Sequence, residues 1–104
     1  MYYDAKELKQ IVKDHNLTSA ILIELGIPRE MVDEALNNRK GHSREHPCPH
    51  CGGDTRFSIV DINEGWIYCS HKCNRAGGDI IGAIMFMREC SFHAACQWLW
   101  RYLY

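Results

Sequence analysis

Four cysteines in two close pairs constrain this chain more than any other feature. Cys48-Pro-His-Cys51 runs into Gly52-Gly53, and Cys69-Ser-His-Lys-Cys73 runs into Asn-Arg-Ala-Gly-Gly. Two thiols on one tight turn can point at a common centre if the backbone closes quickly behind the first. Pro49 fixes φ inside the first turn, and Gly52 and Gly53 admit positive φ after it. The seventeen residues between the pairs suffice for a β-hairpin. Two such knuckles on a hairpin offer thiolates in the tetrahedral set that zinc takes, so the pattern predicts a zinc ribbon around one structural Zn2+.

Cys48, Cys51, Cys69 and Cys73 rank first as ligands. The second knuckle has three residues between its cysteines where the first has two, and His71 lies inside it, so His71 stays open as an alternate to Cys69 or Cys73. His50 is a weaker rival for Cys51. Four protein ligands leave no open position for water, which disfavours a zinc hydrolase. A secreted disulfide framework is disfavoured as well, because Met1-Tyr-Tyr-Asp-Ala-Lys-Glu7 reads as a charged helix start and not as a leader. A redox Cys-x-x-Cys belongs at a helix start after a buried strand, whereas Cys51 leads into Gly-Gly and a strand. Cys90 and Cys96 fall on apolar helical faces, where thiols pack as small hydrophobes.

The length suits one small α+β domain: an N-terminal helical segment over 1–40, the ribbon over 41–78, and C-terminal helices over 79–104 packing on it. No apolar run approaches the roughly 20 residues of a membrane helix, and the cysteine usage points to a reducing, cytoplasmic compartment. Ala5, Leu8, Ile11 and Val12 have helical spacing behind Asp4 as a cap. Asn16 or Thr18 is expected to open a second helix carrying Leu17, Ala20, Ile21, Leu22 and Leu25, closed by Gly26. Pro28 suits the first turn of a third, with Met31, Val32, Ala35 and Leu36 facing one way. The last two helices resemble a helix-turn-helix only in outline, since neither carries a basic stripe for a major groove.

Charge is nearly balanced, at −1 overall. Residues 1–38 hold four Lys or Arg against seven Asp or Glu, while residues 39–75 hold six against four, so positive charge gathers weakly around the knuckles. Asn37 to Glu45 reads either as a solvated linker or as a flexible positive flank formed by Arg39, Lys40 and Arg44. Thr55 to Asp61 alternates, with Phe57 and Ile59 on one face and Arg56, Ser58 and Val60 on the other; Ile62–Gly65 turns the chain and Trp66–Tyr68 returns. If Trp66 or Tyr68 shares the outer face with Arg56 and Ser58, charge and stacking surface combine as in a single-strand binder. The alternative is that both rings pack against helices. Asp79 is placed to cap a buried helix with Ile80, Ile81, Ala83, Ile84, Phe86 and Met87, and Ser91 a last one with Phe92, Ala95, Cys96, Leu99 and Leu103. Trp98, Trp100, Tyr102 and Tyr104 crowd that end, and such rings, where exposed, mark a contact surface unless the natural chain continues over them.

These stretches resemble the zinc-binding domain of DNA primases. His46-Pro-Cys48-Pro-His-Cys51-Gly-Gly-Asp-Thr-Arg56-Phe57 is similar to the first knuckle and strand of satellite-phage primase-helicases, in which a short helical stretch ending in Leu-Gly precedes the ribbon, as Ile21-Leu-Ile-Glu-Leu25-Gly26 does here. Ala76-Gly-Gly-Asp-Ile-Ile81 and Ser91-Phe92-His-Ala-Ala95 resemble segments that follow the last ligand in bacterial replicative primases. The strong likeness covers about half of the chain. It departs from the family in the extra residue of the second knuckle and in Cys51, where bacterial replicative primases have His.

The resemblance implies that the ribbon binds single-stranded DNA template, helps choose where a primer starts, and presents the template to a polymerising domain. It implies Cys48, Cys51, Cys69 and Cys73 as metal ligands and Arg56 as a phosphate or base contact. Together with the charge and strand pattern, the candidate contacts are Lys40, Arg44, Arg56, Ser58, Trp66, Tyr68, Lys72 and Arg75. No carboxylate cluster for Mg2+ and no phosphate-binding loop of a helicase motor is found, so no catalytic residue is expected. Catalysis would come from another domain or partner, and the partners expected are a primase polymerase domain, a replicative helicase or both. The competing expectation is a zinc-braced module that only docks such a partner.

Overall fold

In the computed structural model, which describes residues 4–49, 52, 56–69 and 75–104 (backbone only at 75 and 76), Asp4 opens helix α1 (Ala5–Asp14) by accepting the Glu7 amide at 3.2 Å. Leu8 and Val12, one turn apart, are buried. Asn16 then takes φ 53, a left-handed turn that Asn tolerates, so it reverses the chain and does not cap the next helix. Helix α2 (Thr18–Glu24) starts behind Leu17 with no side-chain cap, and Gly26, at φ 107, ends it as expected. Pro28 flanks helix α3 (Arg29–Leu36) with extended ψ, just outside the first turn. Met31, Val32 and Ala35 are buried, but Leu36, the last residue of α3, is 55% exposed and lines an open groove with Ile62 and Asn63.

The expected hairpin is present as β1 (Phe57–Asp61) and β2 (Trp66–Cys69), paired antiparallel. Phe57, Ile59 and Ile67 turn inward and are buried. A third strand, β3 (Arg75–Gly77), which the sequence pattern does not predict, pairs antiparallel with β2. The cause is tertiary. Helix α4 (Ile80–Arg88) lies so close to β3 that a Cβ on Gly77 would come within 2.6 Å of the Ala83 nitrogen and the Gly82 carbonyl carbon. Only a residue without a side chain allows that approach. Gly77→Ala is therefore expected to cost about 1–3 kcal/mol, or a fall of very roughly 4–24 °C in thermal midpoint. Gly78→Ala, where a Cβ meets nothing within 4 Å, is the control and leaves the midpoint nearly unchanged.

The polar segment before the first knuckle is exposed at Arg39, Lys40 and Arg44, but its second half is tied to the sheet. Gly41 accepts the Ile62 amide at 3.0 Å, Ser43 donates to the Ile59 carbonyl at 3.0 Å, and the Ser43 hydroxyl accepts the Ile59 amide at 2.8 Å. His46 and Phe57 exchange both backbone bonds, at 2.7 and 3.0 Å. Residues 41–46 thus cover the outer edge of β1, which removes a bare sheet edge.

Asp79 caps α4 through the Gly82 amide at 2.8 Å, and Ser91 caps helix α5 (Phe92–Leu103) through the Ala94 amide at 3.2 Å. The inner sheet face, α4 and the helices α1 to α3 and α5 share one core, which draws on Val12, Ile21, Leu22, Met31, Phe57, Ile67, Ile84 and Leu99. Phe92, at the first position of α5, is 54% exposed, not packed as its periodicity suggests. Cys96 is buried and Cys90 half-buried. Burial, with the Asp79 carboxylate adding to it, pushes the Cys96 thiol up, so it packs as a neutral small hydrophobe. Among the described residues no helix is long and apolar enough to cross a membrane.

Candidate metal centre and nucleic-acid interface

Strand register gathers Cys48 and Cys69 at one end of the sheet. His46 pairs with Phe57, Phe57 with Cys69, and Cys69 with Arg75, so these four residues form a single row across it. Cys48 stands two residues beyond His46, running past the start of β1, and Cys69 is the last residue of β2. Both cysteines are buried, at 2% and 0% exposure. The chain reverses directly after Cys48, whose carbonyl accepts the Gly52 amide at 2.9 Å, and Gly52 takes the left-handed φ of 72 expected of it. Cys51, Cys73, His50, His71 and Lys72 lie outside the described residues. Among the described residues no three His, Cys, Asp or Glu side chains form a group. Two buried soft donors, on segments that register to the same end of a small sheet, nevertheless suit the thiolate preference of zinc.

Glu34 of α3 ties the segment that leads into Cys48 to the helical layer. Its Oε1 lies 3.1 Å from His46 Nε2 and accepts the Arg44 amide at 3.1 Å, while Oε2 is 3.2 Å from the same imidazole nitrogen. The His46 hydrogen bond first, then the Arg44 amide, hold the Glu34 carboxyl below its ordinary 4.5. A carboxylate favoured in the fold stabilises it at neutral pH, and that contribution disappears as pH falls through the lowered value. Sequence reasoning misses this pair, because nothing in a single sequence links a helical Glu to an imidazole twelve positions on.

The opposite, outer face of the sheet carries the aromatic pair. In β2 the pattern alternates, with Ile67 and Cys69 buried and Trp66 and Tyr68 41% and 38% exposed. Tyr68 lies between Ser58 and Ala76 in register, and exposed Arg56 precedes Ser58 by two residues, on the same side of the alternation. A bulge between Ile59 and Asp61 brings Asp61 opposite Trp66 and adds local twist. Arg56, Ser58, Trp66 and Tyr68 thus share one face. Arg75 is placed by its backbone in the knuckle row. Lys40 is exposed beside Gly41, at the other end of the sheet, where Gly41 meets Ile62. Arg44 instead lines an open groove beside α3, whose walls carry Glu30, Asp33 and Glu34.

Comparison with family models, with curated proteins and with solved structures returns no match to this chain.

Proposed function

We propose that the chain is a primase-type zinc ribbon that binds single-stranded DNA template on the outer face of its sheet. Primer synthesis is left to a polymerase domain or partner. The observation that carries this reading is the exposed Trp66–Tyr68 pair beside Ser58 and Arg56, on the sheet whose end collects Cys48 and Cys69. Unpaired bases offer π-faces to such rings, whereas a duplex hides them. Cys48, Cys51, Cys69 and Cys73 would hold one structural zinc ion, which supplies a cross-link between the two knuckles and no chemistry on substrate. Arg56, at the knuckle end of the aromatic row, contributes a cation where a phosphate would pass.

The test is a titration of zinc-loaded protein with a fluorescent oligothymidine at low salt. Base stacking is worth about 1–3 kcal/mol per ring, so Trp66→Ala and Tyr68→Ala should each weaken binding roughly 5- to 150-fold. A duplex of the same length should bind less tightly. Wild-type affinity in the doubly substituted protein would refute the assignment of this face.

A second reading is favoured by a different observation. Trp100 and Tyr104, with ring centroids 5.4 Å apart at the end of α5, are 38% and 71% exposed, a surface suited to a protein partner such as a primase polymerase domain or a replicative helicase. Under that reading Trp100→Ala and Tyr104→Ala abolish association with a purified partner and leave oligonucleotide binding unchanged.

A further inference from the structure

Helix α1 carries a basic stripe that the sheet-face reading does not use. Lys6, Lys9 and Lys13 recur at intervals of three and four residues, which sets them on one side of the helix. They line a single open groove with Glu64, Gly78 and Asp79. Lys9 Nζ is 3.3 Å from Asp79 Oδ2 and Lys13 Nζ is 2.9 Å from Glu64 Oε1, so two of the ammonium groups are drawn to the groove walls. These ion pairs are partly exposed, at 34–47% for each side chain, and pairs of that kind are worth only about 0–1 kcal/mol. Either ammonium can therefore turn from its carboxylate to a phosphate at small cost in pairing energy, the remaining penalty being repulsion between that phosphate and Asp79, which stays in place as the α4 cap.

The groove begins where the aromatic row ends. Ile67 pairs with Gly77 as the last pair of that register, and Trp66 and Gly78 are the next residues along the two segments. On the other side, Glu64 and Gly65 lead directly into Trp66, and Gly65 is held against Ile80, whose Cα is 3.1 Å from where a Gly65 Cβ would stand. A strand stacked on Tyr68 and then Trp66, heading away from the knuckles, thus runs onto the α1 lysines.

Resting on the single-strand reading, we propose that the α1 groove takes the phosphates of the strand as it leaves Trp66, so that the binding path crosses from the sheet onto the N-terminal helix. Each phosphate neutralised on a single strand adds about 0.7 to the slope of log affinity against log salt. The experiment compares full-length wild type with the Lys6→Gln/Lys9→Gln/Lys13→Gln variant, using oligothymidines of increasing length between about 50 and 200 mM salt. The slope is expected to fall by roughly 2 in the variant, with affinity at the low-salt end reduced about tenfold or more, but only for oligonucleotides longer than the stacked pair can cover. The matching Lys→Arg variant should restore the wild-type slope, and a wild-type melt of the glutamine variant guards against a folding artefact. An unchanged slope in the glutamine variant, while Tyr68→Ala still weakens binding, overturns the groove and leaves the sheet face standing. Failure of the wild type to bind any oligonucleotide overturns both.

Discussion

Replacing Cys48 with serine is expected to abolish stoichiometric zinc binding and to lower the thermal midpoint by about 15 °C or more. Structural zinc is worth about 10–16 kcal/mol to the small peptides that it folds, as much as the roughly 5–15 kcal/mol of total stability of an ordinary domain. Even a loss of about 4 kcal/mol moves the midpoint of a domain of this size by some 16–32 °C. Cys48 is 2% exposed and sits two residues past the His46–Phe57 pair, so the serine would be buried at the sheet end with no metal to satisfy it. Cys69→Ser should match it in direction and size, because Cys69 is fully buried in the same row. Cys90→Ser, at a half-buried site outside the knuckles, is the control and should retain the metal. Calorimetry with parallel metal analysis checks all three.

Phe57→Ala should be the most damaging substitution away from the cysteines, costing about 3–5 kcal/mol. The ring is fully buried and packs on Phe86 with centroids 5.9 Å apart. Its backbone is bonded to His46 on one side and paired with Cys69 on the other, so the cavity opens beside both knuckles. Weaker zinc retention under chelator challenge should accompany the loss of stability. Phe57→Leu, which fills much of the volume, should recover most of both. If Phe57→Ala melts within a few degrees of wild type, the sheet is not pinned at this residue.

How much of the fold can be read from the sequence depends on how local each contact is. Asp4, Asp79 and Ser91 cap helices through amides three residues on, and all three are legible. So is the alternation that puts Phe57 and Ile59 on one face of β1, whereas the exposure of Trp66 and Tyr68 is decided by where α4 and the other helices pack, which the sequence leaves open. Strand β3 is not legible, because Arg75-Ala-Gly becomes a strand only when the backbone of Gly82 and Ala83 closes on Gly77. The docking of residues 41–46 along β1 is carried mainly by backbone amides, which leave no mark in side-chain composition. Periodicity assigns Leu36 and Phe92 to apolar faces but does not say where a helix outruns its neighbours. Of the candidate site, Arg56, Ser58, Trp66 and Tyr68 share one face, one of the two arrangements that the sequence leaves open, whereas Arg44 lies among carboxylates through the non-local Glu34 contact.

The measurement that tests the account most directly is zinc K-edge absorption on metal-quantified protein. One zinc per chain is expected, surrounded by four sulfur neighbours near 2.3 Å. Protein that folds to the same melt without stoichiometric zinc, or zinc bound to oxygen and nitrogen neighbours alone, would contradict it.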